Sequence, residues 1–178
     1  MLVTLLVFVI WSAGLLALAW LIFHYVRHEY DQNGRLSSRG TFLEILIFGL
    51  HGLGMNIPYL GKSPPFTNQR ELILAAIFLA LTGLAIVAAS MGGLGWRRTA
   101  GHVVGLKQDG LYRYSRNPQI VGYGLVVLSI PLFYASWWLA AWALLYLPIA
   151  HWMVAAEEDH LRRTAGAEFI AYCRQTPR

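Results

Sequence analysis

Charge is scarce in this chain. Only 13% of its 178 residues are Asp, Glu, Lys or Arg, 57% are hydrophobic, and the mean hydropathy is +0.49. A water-soluble domain carries about a quarter charged residues, so a surface this poor in charge faces lipid. Cysteine is almost missing: Cys173 stands alone, which excludes an internal disulfide framework. The six histidines are scattered, with no thiol or carboxylate partners at ligand spacing, so no metal centre is expected. A dinucleotide fingerprint is missing too, since "GGLGW" at 92–96 has neither the G-x-G-x-x-G spacing nor a preceding strand. The net charge of +5 is distributed by topology and does not form a nucleic-acid patch.

What the chain does have is five apolar runs. The first, Leu2 to about Val26, contains no charged residue and exceeds the roughly 20 residues that a spanning helix needs. A signal peptide would carry a basic start and a shorter apolar core; nothing basic precedes Leu2, and the run reads as an uncleaved span. The others are Phe42 to Leu60, Leu72 to Leu94, Pro118 to Phe133 and Trp137 to Ala156. So few residues separate the last two that they must form a tight helical hairpin. Basic residues mark the sides. Arg27, Arg35 and Arg39 follow the first run, Arg97, Arg98, Lys107, Arg113 and Arg116 follow the third, and Arg162, Arg163, Arg174 and Arg178 follow the fifth. Only Lys62 and Arg70 lie on the other side. The positive-inside rule then gives an all-α integral membrane domain over 1–178, with five transmembrane helices, the N-terminus outside and the C-terminus cytoplasmic.

"GLYRYSRNPQIVG", residues 110–122, interrupts this apolar chain with arginines, tyrosines and an Asn-Pro step. Asn117 suits an N-cap and Pro118 the first turn of a helix. The hairpin brings that helix start beside the acidic cluster Glu157, Glu158 and Asp159. Free amides, arginines and carboxylates thus converge at one membrane–water boundary, which suits a zwitterionic ligand.

These residues resemble a known group. "GLYRYSRNP", a hairpin, and then "EEDHLRRTAGAEFIAYCRQTPR" are similar to the isoprenylcysteine carboxyl methyltransferase and phospholipid methyltransferase superfamily over roughly 92–178. The resemblance divides the chain into three N-terminal spans, 1–94, and a cofactor-binding half, 95–178. It implies S-adenosylmethionine in a cytoplasmic pocket and a lipophilic acceptor, a small molecule or lipid, arriving from the bilayer. Val104, Gly105, Leu106 and Lys107 match the family's cofactor-contacting strip, and Tyr112 matches a pocket tyrosine. Asn117, Pro118 and Ile120 fall on the family's His-Pro step, and Glu157 and Glu158 on its paired carboxylates. Glu157 and Arg116 are the candidate catalytic residues. Where an arginine meets the substrate carboxylate in carboxyl methyltransferases, this chain has Met153, so a prenylcysteine acceptor loses its most direct support.

Methyl transfer from a sulfonium asks the protein mainly to bind, orient and desolvate its partners. Were a base required, His102 or His160 would be available. Polar groups inside the apolar runs are costly in lipid. His51, Asn56 and His151, with Met153, are therefore candidates for an acceptor cavity, or else for bonds to another helix, and Glu44 sits near a span end. "GLHGLG" at 49–54 favours close helix packing, and Tyr134, Trp137 and Trp138 suit the outer interface. Two other functions stay open. "AYCRQTP" also resembles the end of NADPH-dependent sterol reductases, which are larger, and the scaffold could persist without catalysis. Compactness points to a prokaryotic plasma membrane with the active site facing the cytoplasm.

Overall fold

The computed structural model describes residues 2–55, 69–94 and 106–178, and every regular element among them is helical. In chain order these are α1 (Leu2–Asn33), α2 (Ser38–Gly54), α3 (Gln69–Leu94), a 3-10 turn (Gly110–Arg113), α4 (Pro118–Tyr134), α5 (Trp137–Leu144), α6 (Tyr146–Thr164) and α7 (Gly166–Gln175). Among the described residues three stretches are long and apolar enough to cross a membrane: α1, Gln69–Gly93 and Trp137–Thr164; α4 is a shorter apolar helix. Helices apolar on all faces have no water-facing side. Accordingly Phe42, Leu53, Phe78, Leu81 and Leu147 are all more than half exposed, as lipid-facing side chains are. The expected second run extends past Met55 into residues outside those described.

The hairpin between the fourth and fifth runs is present and takes two residues. Ala135 adopts the left-handed conformation (φ 49°, ψ 47°), and the Ser136 amide donates to Pro131 O at 3.1 Å. Ser136 Oγ then accepts from Leu139 N and caps α5. The fifth run is one apolar stretch, as expected, but its helix is interrupted at Leu145. Pro148 has no N–H for the helical ladder, and its ring crowds the carbonyl four residues back, at Leu144. The break falls there, with α5 ending at Leu144 and α6 starting at Tyr146.

Two glycines let α3 and α4 lie against each other. A Cβ on Gly83 would stand 2.5 Å from Gly122 O, and one on Gly122 would stand 2.8 Å from Gly83 O. On the other side α1 packs on α2 and α6 through Ala19, Ile22, Phe23, Ile47 and Ile149. A second cluster surrounds Trp142, against which Gly54 leaves no room for a side chain. Polar ties fix the end of α1. Glu29 accepts from Tyr25 Oη at 2.6 Å and from Ser37 N and Oγ, while Ser37 Oγ accepts from Gly40 N to cap α2. Arg27 pairs with Asp159 at 3.0 Å, Arg163 pairs with Asp31, and Tyr30 stacks on His160 with centroids 4.4 Å apart. These contacts set the end of α6 against α1 and fix the direction in which its glutamates point.

Candidate active site

Because α4 and α6 are joined through the hairpin, the start of one meets the end of the other. Arg116 Nη1 lies 3.0 Å from Glu158 Oε1, with both side chains largely buried. Glu158 also takes Arg178, whose Nη2 is 2.6 Å from Oε2. Arg116 donates through Nη1 to Cys173 Sγ at 2.7 Å, and its backbone amide donates to Pro177 O at 2.9 Å. The C-terminal segment is therefore stitched to the stretch before α4. Tyr172 Oη donates to Tyr112 O at 2.5 Å, Thr176 Oγ1 to Arg113 O, and Gln108 Nε2 to Glu168 Oε1 at 3.0 Å.

The two adjacent glutamates have different surroundings. Glu158 is buried and saturated by arginines, whereas Glu157, partly buried, makes no hydrogen bond or ion pair among the described residues. Successive helical residues point about 100° apart, so only one of the pair can face Arg116. Glu157 faces elsewhere, within electrostatic range of Tyr30, Glu44 and Tyr112. The Tyr112 hydroxyl is pushed above its ordinary pKa first by burial and then by the Glu157 charge. Tyr172 is pushed up to about 12, again chiefly by burial. Both therefore remain hydrogen-bond donors at neutral pH.

Asn117 occupies the N-cap position of α4, but its side chain does not cap. Its carbonyl accepts from Ile120 N and Val121 N, while the side-chain amide is buried and Nδ2 has no partner among the described residues. Arg116 Nε is buried and unpartnered in the same way. Buried donors without acceptors are rare and costly. A ligand that offers acceptors would satisfy both donors. Of the expected cofactor strip, Leu106 is partly buried, Lys107 pairs with Asp109 at 2.9 Å, and Val104 and Gly105 lie outside the described residues.

A cavity of about 510 Å³ opens between α2 and α4, with Glu44, Phe48, Gln119, Ile120, Tyr123 and Met153 in its walls. Its size and apolar lining are those of a small-molecule site. Gln119 links it to the residues above, since its Oε1 accepts from Tyr112 Oη at 3.5 Å. The expected acceptor residues divide. Met153 and Ile120 line the cavity. His51 does not: it is fully buried, its Nε2 is 3.2 Å from Trp142 O, and its carbonyl accepts from Trp142 Nε1 at 2.9 Å. It ties two helices together. His151 is exposed and outside the cavity walls, and Asn56 and His102 lie outside the described residues. His160 is buried beneath Tyr30. Sequence reasoning passed over Gln119 and Tyr123, and the signal for both was their spacing along α4 on the face of Ile120.

Fold and site together define a helical membrane protein with a polar centre at one boundary and an apolar cavity beside it. A family model for phospholipid methyltransferases matches residues 72–168, more than half of the chain, and the chain belongs to that family. The family is part of the integral membrane methyltransferase superfamily, together with isoprenylcysteine carboxyl methyltransferase. Membership indicates a methyltransferase with a membrane-associated substrate. Neither the curated proteins nor the solved structures give a match.

Proposed function

We propose that the protein transfers a methyl group from S-adenosylmethionine to a lipophilic acceptor at the cytoplasmic face of the membrane. The observation that carries this is the meeting of Arg116, one residue before the Asn117–Pro118 step, with Glu158, the neighbour of Glu157, all inside the family-matching stretch. In this reading the chain has five spans with the N-terminus outside. Glu157 holds the ammonium or ribose hydroxyls of the cofactor, and Asn117 Nδ2 and Arg116 Nε meet its acceptors. Tyr112 and Pro118 close the pocket wall, and Leu106 and Lys107 close it from the strip before. The cofactor, when bound, supplies an electrophilic methyl group on a cationic sulfur. The protein positions the acceptor for in-line attack and excludes water, which is where most of the rate enhancement arises when no other covalent chemistry is demanded of it. Arg116 acts through its fixed pair with Glu158 and keeps the mouth of α4 in register with α6.

Calorimetric titration of S-adenosylmethionine or S-adenosylhomocysteine into purified protein, with NADPH in parallel, tests the proposal. Saturable binding of the adenosyl ligand alone supports it. Binding of NADPH alone would move the chain to reductase chemistry, and no binding of either would leave a scaffold without catalysis.

A further inference from the structure

Among the described residues four polar side chains line the cavity between α2 and α4: Thr41, Glu44, Gln119 and Tyr123. Two of them direct their proton to a helix carbonyl. Thr41 Oγ1 donates to Ser37 O at 3.2 Å, and Tyr123 Oη donates to Phe48 O at 3.3 Å. Glu44, as a carboxylate, has only lone pairs to offer. Gln119 differs, because its tip carries an oxygen that accepts and a nitrogen that donates twice. Tyr112 decides which of the two faces the cavity. The tyrosine is 7% exposed, and its hydroxyl donates to Gln119 Oε1 at 3.5 Å, with no other acceptor among the described residues. Burial, and then the Glu157 charge, keep that hydroxyl protonated. The bond is long, as hydrogen bonds at catalytic sites often are until a ligand draws the groups together. With Oε1 engaged by the tyrosine, the amide nitrogen turns the other way, and Nε2 has no partner among the described residues.

We propose that Gln119 is the residue that reads the methyl acceptor, its Nε2 donating to an oxygen in the headgroup of a lipophilic molecule whose apolar part lies along Phe48, Ile120 and Met153. The inference rests on the methyltransferase reading and deepens it. An oxygen has two lone pairs or more, so one can take the Gln119 proton while the atom to be methylated keeps its own lone pair free. Hydroxyl, carboxylate and phosphate oxygens share this chemistry. Gln119 is the second residue of α4, directly after Pro118. An oxygen bound there stands where the cavity meets the wall formed by Tyr112 and Pro118, next to the expected cofactor. Tyr112 is in this respect a positioning residue. Its hydroxyl holds the amide in the orientation that presents N–H to the cavity, and without it either end of the amide could turn inward.

The test uses the full chain in phosphatidylcholine nanodiscs, with empty nanodiscs as the blank and no cofactor present. Tritiated dodecyl methyl ether and tetradecane match in chain length, and the ether differs by one oxygen that accepts but cannot donate. The ether should bind at least about threefold more tightly than tetradecane, as one added hydrogen bond implies. Gln119→Met keeps the side-chain length and removes both polar atoms. It should abolish the preference while leaving tetradecane affinity within twofold, which a collapsed cavity would not do. Tyr112→Phe should reduce the preference by releasing the amide. Gly49→Leu places a side chain in the cavity wall, where a Cβ meets nothing within 4 Å, and should weaken both probes. Dodecanol, dodecanoic acid and dodecyl phosphate are then compared, and the one that loses most affinity in Gln119→Met identifies the kind of oxygen. The proposal is overturned if the wild type does not prefer the ether, if Gln119→Met or Tyr112→Phe keeps the full preference, if none of the three oxygen probes loses affinity, or if Gly49→Leu changes nothing. Should Gln119→Met fail to fold, the wild-type ratio and Tyr112→Phe decide. These titrations need neither cofactor nor turnover, so their failure is separate from that of the methyltransferase reading, which the adenosyl titration decides.

Discussion

Replacing each of two neighbouring glutamates should produce opposite phenotypes. Glu158→Ala removes the counter-charge of Arg116, whose side chain is only 12% exposed. Breaking one side of a buried pair costs about 3–5 kcal/mol, because the remaining charge is stranded. Arg178 and Arg162 are roughly half exposed, at 48% and 57%, and water takes over from Glu158 for both, adding well under about 1 kcal/mol each. Arg116 also keeps its contact with Cys173, so the lower end, about 3 kcal/mol, is expected. Among the described residues Glu157 has no bonded partner to strand. Glu157→Gln should change stability by less than about 0.5 kcal/mol, like a substitution away from any special feature, yet weaken S-adenosylmethionine binding by about 1–3 kcal/mol. Denaturant unfolding in mixed micelles, followed by circular dichroism, reads the stability, and calorimetry reads the affinity. Adding Arg116→Met to Glu158→Ala should restore much of the loss. If the two losses simply add, or if Glu157→Gln destabilises as much as Glu158→Ala, the assignment of one structural and one cofactor-facing glutamate is wrong.

Other outcomes follow from the packing. Gly83→Ala should destabilise by about 1–3 kcal/mol, since the new methyl overpacks the α3–α4 crossing; Gly14→Ala, where a Cβ meets nothing within 4 Å, is the control and should not destabilise in the same unfolding assay. Trp142→Phe leaves the buried His51 carbonyl without its donor and should cost about 1–3 kcal/mol, with the unfolding midpoint as readout. Tyr112 and Tyr172 favour their protonated forms in the fold. Their contribution to stability is complete below about pH 10, the unfolded tyrosine value, and is lost as pH rises through the folded value near 12 for Tyr172. Tyr172→Phe should flatten that alkaline decline, and an unchanged slope would place the titration elsewhere.

Much of the architecture was legible because lipid imposes a coarse code. Apolar length and the absence of charge locate the helices, and the short link between the fourth and fifth runs predicts that the Arg116–Pro118 step comes close to the cluster Glu157, Glu158 and Asp159. Finer features depend on contacts between residues far apart in the chain. Which of Glu157 and Glu158 faces Arg116 depends on the rotation of α6, and that is set by α1 through Arg27, Asp31 and Tyr30. His51 stood either for an acceptor cavity or for a bond to another helix, because a polar group in an apolar run demands a partner; the bond to another helix is present, and its partner Trp142 is one that no local pattern indicates. The interruption at Leu145 was within reach, since Pro148 signals it. The cavity was not, because its walls come from α2, α3, α4 and α6.

The stitching of the C-terminal segment onto the residues before α4 has a consequence for biosynthesis. Arg116 leaves the ribosome well before Glu158, Cys173 and Pro177, its three partners. Until the residues after α6 emerge, its guanidinium lacks Cys173, and its backbone amide lacks the Pro177 carbonyl. The contacts of Arg116 are thus completed by the last part of the described chain to be made. A nascent chain stalled before Glu158 would leave Arg116 without any of the three.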